Sequence, residues 1–392
     1  MNKYKLIYIT NTRIPSEKAN AYQSMQMCFS FAKKIADVEM WVPKARNTAE
    51  LEQIKDYYKF YDIENNFLIK KFYQFDSKLL KYCNEFLWAN TKSVIFAINV
   101  IINLLKIKNQ KIVIYTRDWY FLKIYNFCKK IGLFNFSIYY EAHKFSNNLV
   151  DSLKNVNGLI VVTKHLKDIY QGKKVQNILV EHDGVDLKTF KLTTEIKAKK
   201  LLSLDEKTKY LVYIGRFQTL GKEKGIPEII KSLQYIDDKV KVLFVGGPLI
   251  NISSYYSIAK NYGIDHDRLI FIDRQPVSEL YKYTSASAAL LMPFPNTKHY
   301  SYFMSPMKMF EYMSSVRPII ASNLPSICEI LTNEKNSILC EPSNSEDLAE
   351  KINFVLNNDC SKLAQQAYVD VQNFTWDNRA KRILEFIHER MN

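Results

Sequence analysis

The sequence predicts an α/β protein built from two Rossmann-like, doubly wound parallel-sheet domains in series. Three observations carry this. At 392 residues the chain exceeds one ordinary domain. Its apolar fraction of 47% can fill two cores, and its 24% charged share marks neither a disordered nor a fibrous chain. Short apolar runs also alternate with segments of helical period over most of the length, the mark of parallel strands joined by helices.

In the first half the strand candidates are 5–10, 38–43, 111–117, 136–142, 158–163 and 177–181, and a longer helical stretch at 76–107 reads as two helices. Polar residues 191–208 (KLTTEIKAKKLLSLDEKT) mark the boundary, which gives domains 1–190 and 191–374. The alternation restarts with strands near 210–215, 241–246, 269–272, 288–293, 318–322 and 337–340. From Thr375 to Met391, Ile383, Leu384, Phe386 and Ile387 recur among Lys, Arg and Glu, so an amphipathic helix closes the chain. Two such sheets place a ligand cleft between the domains, at the carboxyl ends of the strands.

The net charge of +15 is uneven. Residues 1–190 carry 29 Lys and Arg against 17 Asp and Glu, whereas 191–392 carry 26 against 23. A basic first half fits an anionic partner, and it equally fits a Lys-rich solvated face. Lysines 70, 71, 78, 81, 106, 108, 111, 123, 129 and 130 stand among Phe, Trp and Ile, a pattern suited to an anionic membrane leaflet. Nucleic acid ranks last as a partner despite 26 Tyr, because no binding module is recognisable. The six cysteines are scattered without a CxxC pair, against a disulfide framework or structural zinc and in favour of a reducing, cytoplasmic location. Lys5 to Thr10 reads as a buried strand rather than a signal-peptide core. The longest apolar run, Val94 to Leu105, falls short of a membrane span and is interrupted by Asn99 and Asn103, so a buried or membrane-touching helix is expected.

The second half holds a candidate anion site. Tyr213-Ile214-Gly215-Arg216-Phe217 ends a strand, and Lys224-Gly225 precedes a helix. A diphosphate needs fixed cations and backbone amides. Arg216 offers bidentate contacts, Lys224 a point charge, and the helix start outward N–H groups. By itself the Gly-Arg pair is as well explained by a turn glycine and a solvated Arg. Residues 305–315 (SPMKMFEYMSS) predict a helix with Ser305 as N-cap and Pro306 at its first position. Met307 lies in the first turn. Glu311, among Met307, Met309, Phe310 and Tyr312, sits where a carboxylate could accept both hydroxyls of a ribose, and a buried one requires a partner. Residues 317–331 (RPIIASNLPSICEIL) give a strand, a turn and a helix in which Glu329 reads as structural.

Together with His182-Asp183-Gly184-Val185-Asp186 and 374–387 (FTWDNRAKRILEFI), these blocks resemble the retaining nucleotide-sugar glycosyltransferases of family 4, which have the GT-B fold. The resemblance covers nearly the whole chain. It implies that Arg216 and Lys224 hold the donor diphosphate, Glu311 the ribose, and Gly215, Ser305, Pro306 and Met307 the rest of the donor. It also implies that the closing helix packs back on the first domain. The family often has two glutamates; here Phe303 stands at the first, so sugar contacts must come from elsewhere, such as amides near Met304 and Ser305.

In the first half, Glu141-Ala142-His143 ends a strand. A lone His there is usually structural; the resemblance gives His143 a place near the transferred sugar, orienting it and stabilising developing charge. Arg117 follows the preceding strand on the same side. The first loop lacks glycine, and the chain has none before Gly132. It resembles a branch with an Arg-Ile-Pro-Ser-Glu-Lys-Ala signature, in which Arg13 and Lys18 are candidates to replace loop amides at a phosphate. The expected function is retaining transfer from a UDP- or GDP-sugar to a saccharide hydroxyl, on a lipid-linked acceptor. No metal is expected, because no Asp-x-Asp pair of the metal-holding kind is read. The alternative is a non-catalytic GT-B partner or carbohydrate-binding subunit.

Overall fold

Apolar, β-branched runs flanked by polar turns form two separate parallel sheets in the computed structural model, which describes residues 4–74, 85–219 and 222–391. The chain divides into two compact units, Met1–Glu181 with Trp376–Asn392, and His182–Thr375.

The first unit holds β1 (Lys5–Ile9), β2 (Val38–Pro43), β3 (Leu68–Phe72), β4 (Ile112–Thr116), β5 (Ser137–Ala142), β6 (Gly158–Val161) and β7 (Ile178–Val180), in the order β3-β2-β1-β4-β5-β6-β7. β2 and β4 are buried along their whole length, as strands covered on both faces must be. β3 went unforeseen: it is an exposed edge strand whose Lys70 and Lys71 break the apolar run, and edge lysines guard against further pairing. The helix Glu85–Lys106 buries Phe96, Ala97, Val100 and Leu104 and exposes Ile98 and Ile102. Its segment Trp88–Lys106 is long and apolar enough to cross a membrane by length and composition. Asn99 and Asn103 turn their amides back on the carbonyls of Ile95 and Asn99. The first part of the expected helical stretch, 76–84, lies outside the described residues.

The second unit holds β8 (Tyr210–Ile214), a short antiparallel hairpin of β9 (Gln218–Thr219) and β10 (Lys222–Glu223), then β11 (Lys241–Val245), β12 (Leu269–Ile272), β13 (Ala289–Met292), β14 (Ile319–Ser322) and β15 (Ile338–Cys340). Its sheet runs β12-β11-β8-β13-β14-β15. The strand order reverses at β8, next to β13, which makes the carboxyl end of that pair a topological switch point. The helix Met307–Met313 packs beside it through Met309, Phe310, Tyr312 and Met313. Tyr312 fixes the register: its hydroxyl accepts from the Ile214 amide at 2.7 Å and donates to the Leu291 carbonyl at 3.3 Å.

The closing helix, Trp376–His388, belongs to the first unit and buries Trp376, Arg379, Ala380, Ile383, Leu384, Phe386 and Ile387.

Candidate active site

The loop after β8 is shaped by two glycines. Gly215, at φ +128°, donates its amide to the Val245 carbonyl at 2.7 Å, and Phe217 returns to the core with its amide on the Gly247 carbonyl at 2.9 Å. Arg216, between them, is thrown out to solvent, and its carbonyl accepts from the Tyr213 hydroxyl at 3.0 Å. The β9–β10 hairpin then carries the chain to Lys224. Its anchor is Glu223, which accepts hydrogen bonds from Gln218 and, at 3.0 Å, from Tyr255. Gly225, in the left-handed region at φ +92°, turns the chain into the helix Ile226–Ser232.

Three cations meet here. Lys224 is pushed down to about 8 by burial and by the charge of Arg216. Burial, with Lys224 beside it, holds the Lys308 ammonium well below the usual lysine range, and Glu311 only partly offsets this. Glu311 is itself pushed up to about 7 by burial, against the pull of Lys308. Lys224 and Lys308 are desolvated near each other with Arg216 at the solvent side, and an anion of two or more charges relieves the repulsion among them. Sequence reasoning missed Lys308, although a lysine inside the apolar run Met307–Met313 was a usable signal.

The start of the neighbouring helix differs from expectation. Ser305 does not cap it: Pro306 occupies the N-cap position, the helix begins at Met307, and no side chain caps it. The Ser305 hydroxyl instead accepts from the Asp183 amide at 2.9 Å, tying the 182–186 stretch to this helix start. That stretch is held further by the Val185 amide on the Phe374 carbonyl at 3.0 Å. Glu329 ends the short helix Pro325–Cys328 and pairs with His182 at 3.4 Å, a partly buried contact within the second unit. Phe303 closes the helix Lys298–Tyr302. An Asp-x-Asp spacing does occur, at Asp265-His266-Asp267. It caps the turn entering β12, where Asp265 accepts from the Asp267 amide at 3.0 Å, at the opposite end of that strand from the cations.

In the first unit, Glu141 gathers a buried network at the end of β5. It accepts from Gln23 at 2.8 Å and from Tyr115, pairs with Arg379 at 3.2 Å, and lies 2.5 Å from His143 Nε2. Burial opposes its charge, but Arg379, His143 and Arg117 outweigh this and hold the carboxyl well below its usual range. His143 is thus oriented by a carboxylate, as a working imidazole would be. Gln23, Tyr115 and Arg379 were not foreseen. Arg117 follows β4 and has a buried guanidinium nitrogen without a hydrogen-bond partner among the described residues. Arg13 pairs with Glu17 at 3.2 Å, and Lys18 stands exposed before the helix Ala19–Ala32. The glycine-free loop is pinned by side chains: Tyr61 bridges the Ser16 amide and carbonyl at 2.7 and 2.8 Å, and Lys71 donates to the Ile14 carbonyl at 2.8 Å. Of the lysines read as a basic face, Lys70 and Lys71 are therefore committed to Glu39 and to this loop, and Lys78 and Lys81 lie outside the described residues.

Residues 208–358 match the family model for glycosyl transferases group 1. That domain contains Arg216, Lys224, Lys308 and Glu311. A D-inositol 3-phosphate glycosyltransferase of Rhodococcus jostii is 24% identical over 225 residues, covering 55% of this chain and 48% of that protein. The chain spans about half the length of the curated relatives it matches. Among solved structures, Anabaena HepE in complex with UDP superposes with a TM-score of 0.71 at 14% identity, over 98% of this chain and 100% of that one. Sucrose-phosphate synthase of Thermosynechococcus elongatus does so with a TM-score of 0.73 at 16% identity, over 98% of each chain. These similarities fit a two-domain α/β fold of the GT-B type and support sugar transfer as the class of chemistry.

Proposed function

We propose that the protein is a retaining, metal-independent glycosyltransferase of family 4. It takes a sugar from a uridine or guanosine diphosphate donor held in the second unit and passes it to a saccharide hydroxyl. The observation that carries this is a run of coupled charges, Arg216 with Lys224, Lys224 with Lys308 and Lys308 with Glu311, beside the switch point at β8 and inside the stretch that matches glycosyl transferases group 1. As the sugar–phosphate bond breaks, negative charge grows on the departing diphosphate. Cations already in place at the site stabilise that charge. Glu311 takes the ribose hydroxyls, and His143, oriented by Glu141, takes a sugar hydroxyl in the first unit.

The acceptor is proposed to be lipid-linked and reached from the cytoplasmic face of a membrane. This is supported by exposed Ile98, Ile102, Phe127 and Ile131 standing with exposed Lys106, Lys123 and Lys130.

Thermal shifts with UDP, GDP, ADP and CDP identify the base, and donor consumption by Arg216→Ala and Glu311→Ala tests the site. A loss of about 10²–10³ in turnover is expected for Arg216→Ala, the usual effect of removing one transition-state donor. Undiminished turnover by both variants defeats the assignment, and no turnover by the wild type favours the non-catalytic alternative.

A further inference from the structure

We propose that Lys308 is a third cationic contact for the donor diphosphate, reaching it across Gly215. The inference rests on the reading of the second unit as a nucleoside-diphosphate site.

The Lys308 ammonium is buried and has no hydrogen-bond partner among the described residues. It lies 3.7 Å from the centroid of the Tyr213 ring and 5.1 Å from that of Phe294, so two aromatic faces hold its position. A Cβ on residue 215 would sit 3.1 Å from its Nζ, so the bare backbone of Gly215 is what lets the side chain lie against the loop that presents Arg216. The charges it feels are those of Lys224 and Glu311.

This is a costly arrangement for a structural lysine. Buried ammonium groups are paired or hydrogen-bonded in native proteins, and an apolar side chain of similar length would pack between the two rings without that cost. Aromatic faces compensate only part of the lost hydration. A buried amine kept unpaired beside two cations is explained by an anion that arrives later and holds it protonated. A diphosphate spans several oxygens and can face Arg216, Lys224 and Lys308 together.

The test is Lys308→Met, with Lys308→Gln as a second variant in case the first fails to fold. UDP and GDP binding to the full chain is measured by calorimetry at pH 8 in two buffers of different ionisation enthalpy, together with the melting temperature of the free protein. Both variants are expected to bind at least tenfold more weakly, the usual loss for one charge-assisted hydrogen bond. They should also take up fewer protons on binding than the wild type and melt no lower when free. Unchanged affinity and proton uptake, or a lower melting temperature with unchanged affinity, overturns the proposal and leaves the donor site standing. Failure of the wild type to bind either nucleotide overturns the donor reading, and this inference with it.

Discussion

A Cβ on residue 225 would sit 1.9 Å from the carbonyl oxygen of Pro293, so the chain beyond Lys224 passes the end of β13 at a distance that only glycine permits. The left-handed backbone at Gly225 makes the same demand. Gly225→Ala is therefore expected to cost more than about 1 kcal/mol and to shift Lys224 away from its neighbours. Urea denaturation measures the first effect, and weaker nucleotide binding by the folded variant the second.

Donor affinity should depend on pH through the lysines. Lys224, pushed down to about 8 by burial and Arg216, is charged in free and bound protein below that value. Above it, binding must take up a proton, so affinity falls as pH rises past 8, by up to about tenfold per pH unit. Lys308, also held well below the usual lysine range by burial, adds to the fall. The free protein shows the opposite sign. Unfolded lysine binds protons up to about pH 10.4, so the contribution of Lys224 to stability rises between about 8 and that value. Titration calorimetry from pH 7 to 9.5 measures the slope, and a flat profile contradicts it.

How much of this was legible in the sequence depended on where burial was decided. Strands covered on both faces declared themselves: β4 is an unbroken apolar run up to Thr116, and β2 is broken only by Glu39. β3 did not, because Lys70 and Lys71 on an edge look like a loop. Arg216, Lys224 and Glu311 stood out as charged residues at a strand end and beside helices. Lys308 and Arg379 did not, because a basic residue on a helix usually marks the solvated face. Their burial is decided by partners distant in the chain: Tyr213 for Lys308, and Glu141, 238 positions away, for Arg379. The start of the helix at Met307 was misjudged because Ser305 had a competing use for its hydroxyl on Asp183.

The Arg379–Glu141 pair ties the closing helix to β5 inside the first unit. Arg379→Met leaves a buried carboxylate short of its main cation, at a cost of about 3–5 kcal/mol. Because Glu141 is held below its usual range, its contribution is present above the unfolded carboxylate value of about 4.3 and is lost as pH falls toward the folded value. The stability gap between wild type and Glu141→Gln, read from urea midpoints, should accordingly narrow in acid.

The exposed apolar and basic face of the first unit makes a separate prediction. Sedimentation with phosphatidylglycerol vesicles should exceed that with phosphatidylcholine vesicles and weaken with salt. Replacing Phe127 and Ile131 with Glu should abolish it without lowering nucleotide affinity. Equal sedimentation with both lipids would remove the support for a membrane-borne acceptor.

The most direct measurement is a crystal structure of the protein with the nucleoside diphosphate that binds it best. The expected result has the phosphate oxygens against the Arg216 guanidinium and the Lys224 and Lys308 ammonium groups, with the ribose hydroxyls on Glu311. A diphosphate bound elsewhere, with those cations still turned to solvent or to one another, contradicts the account.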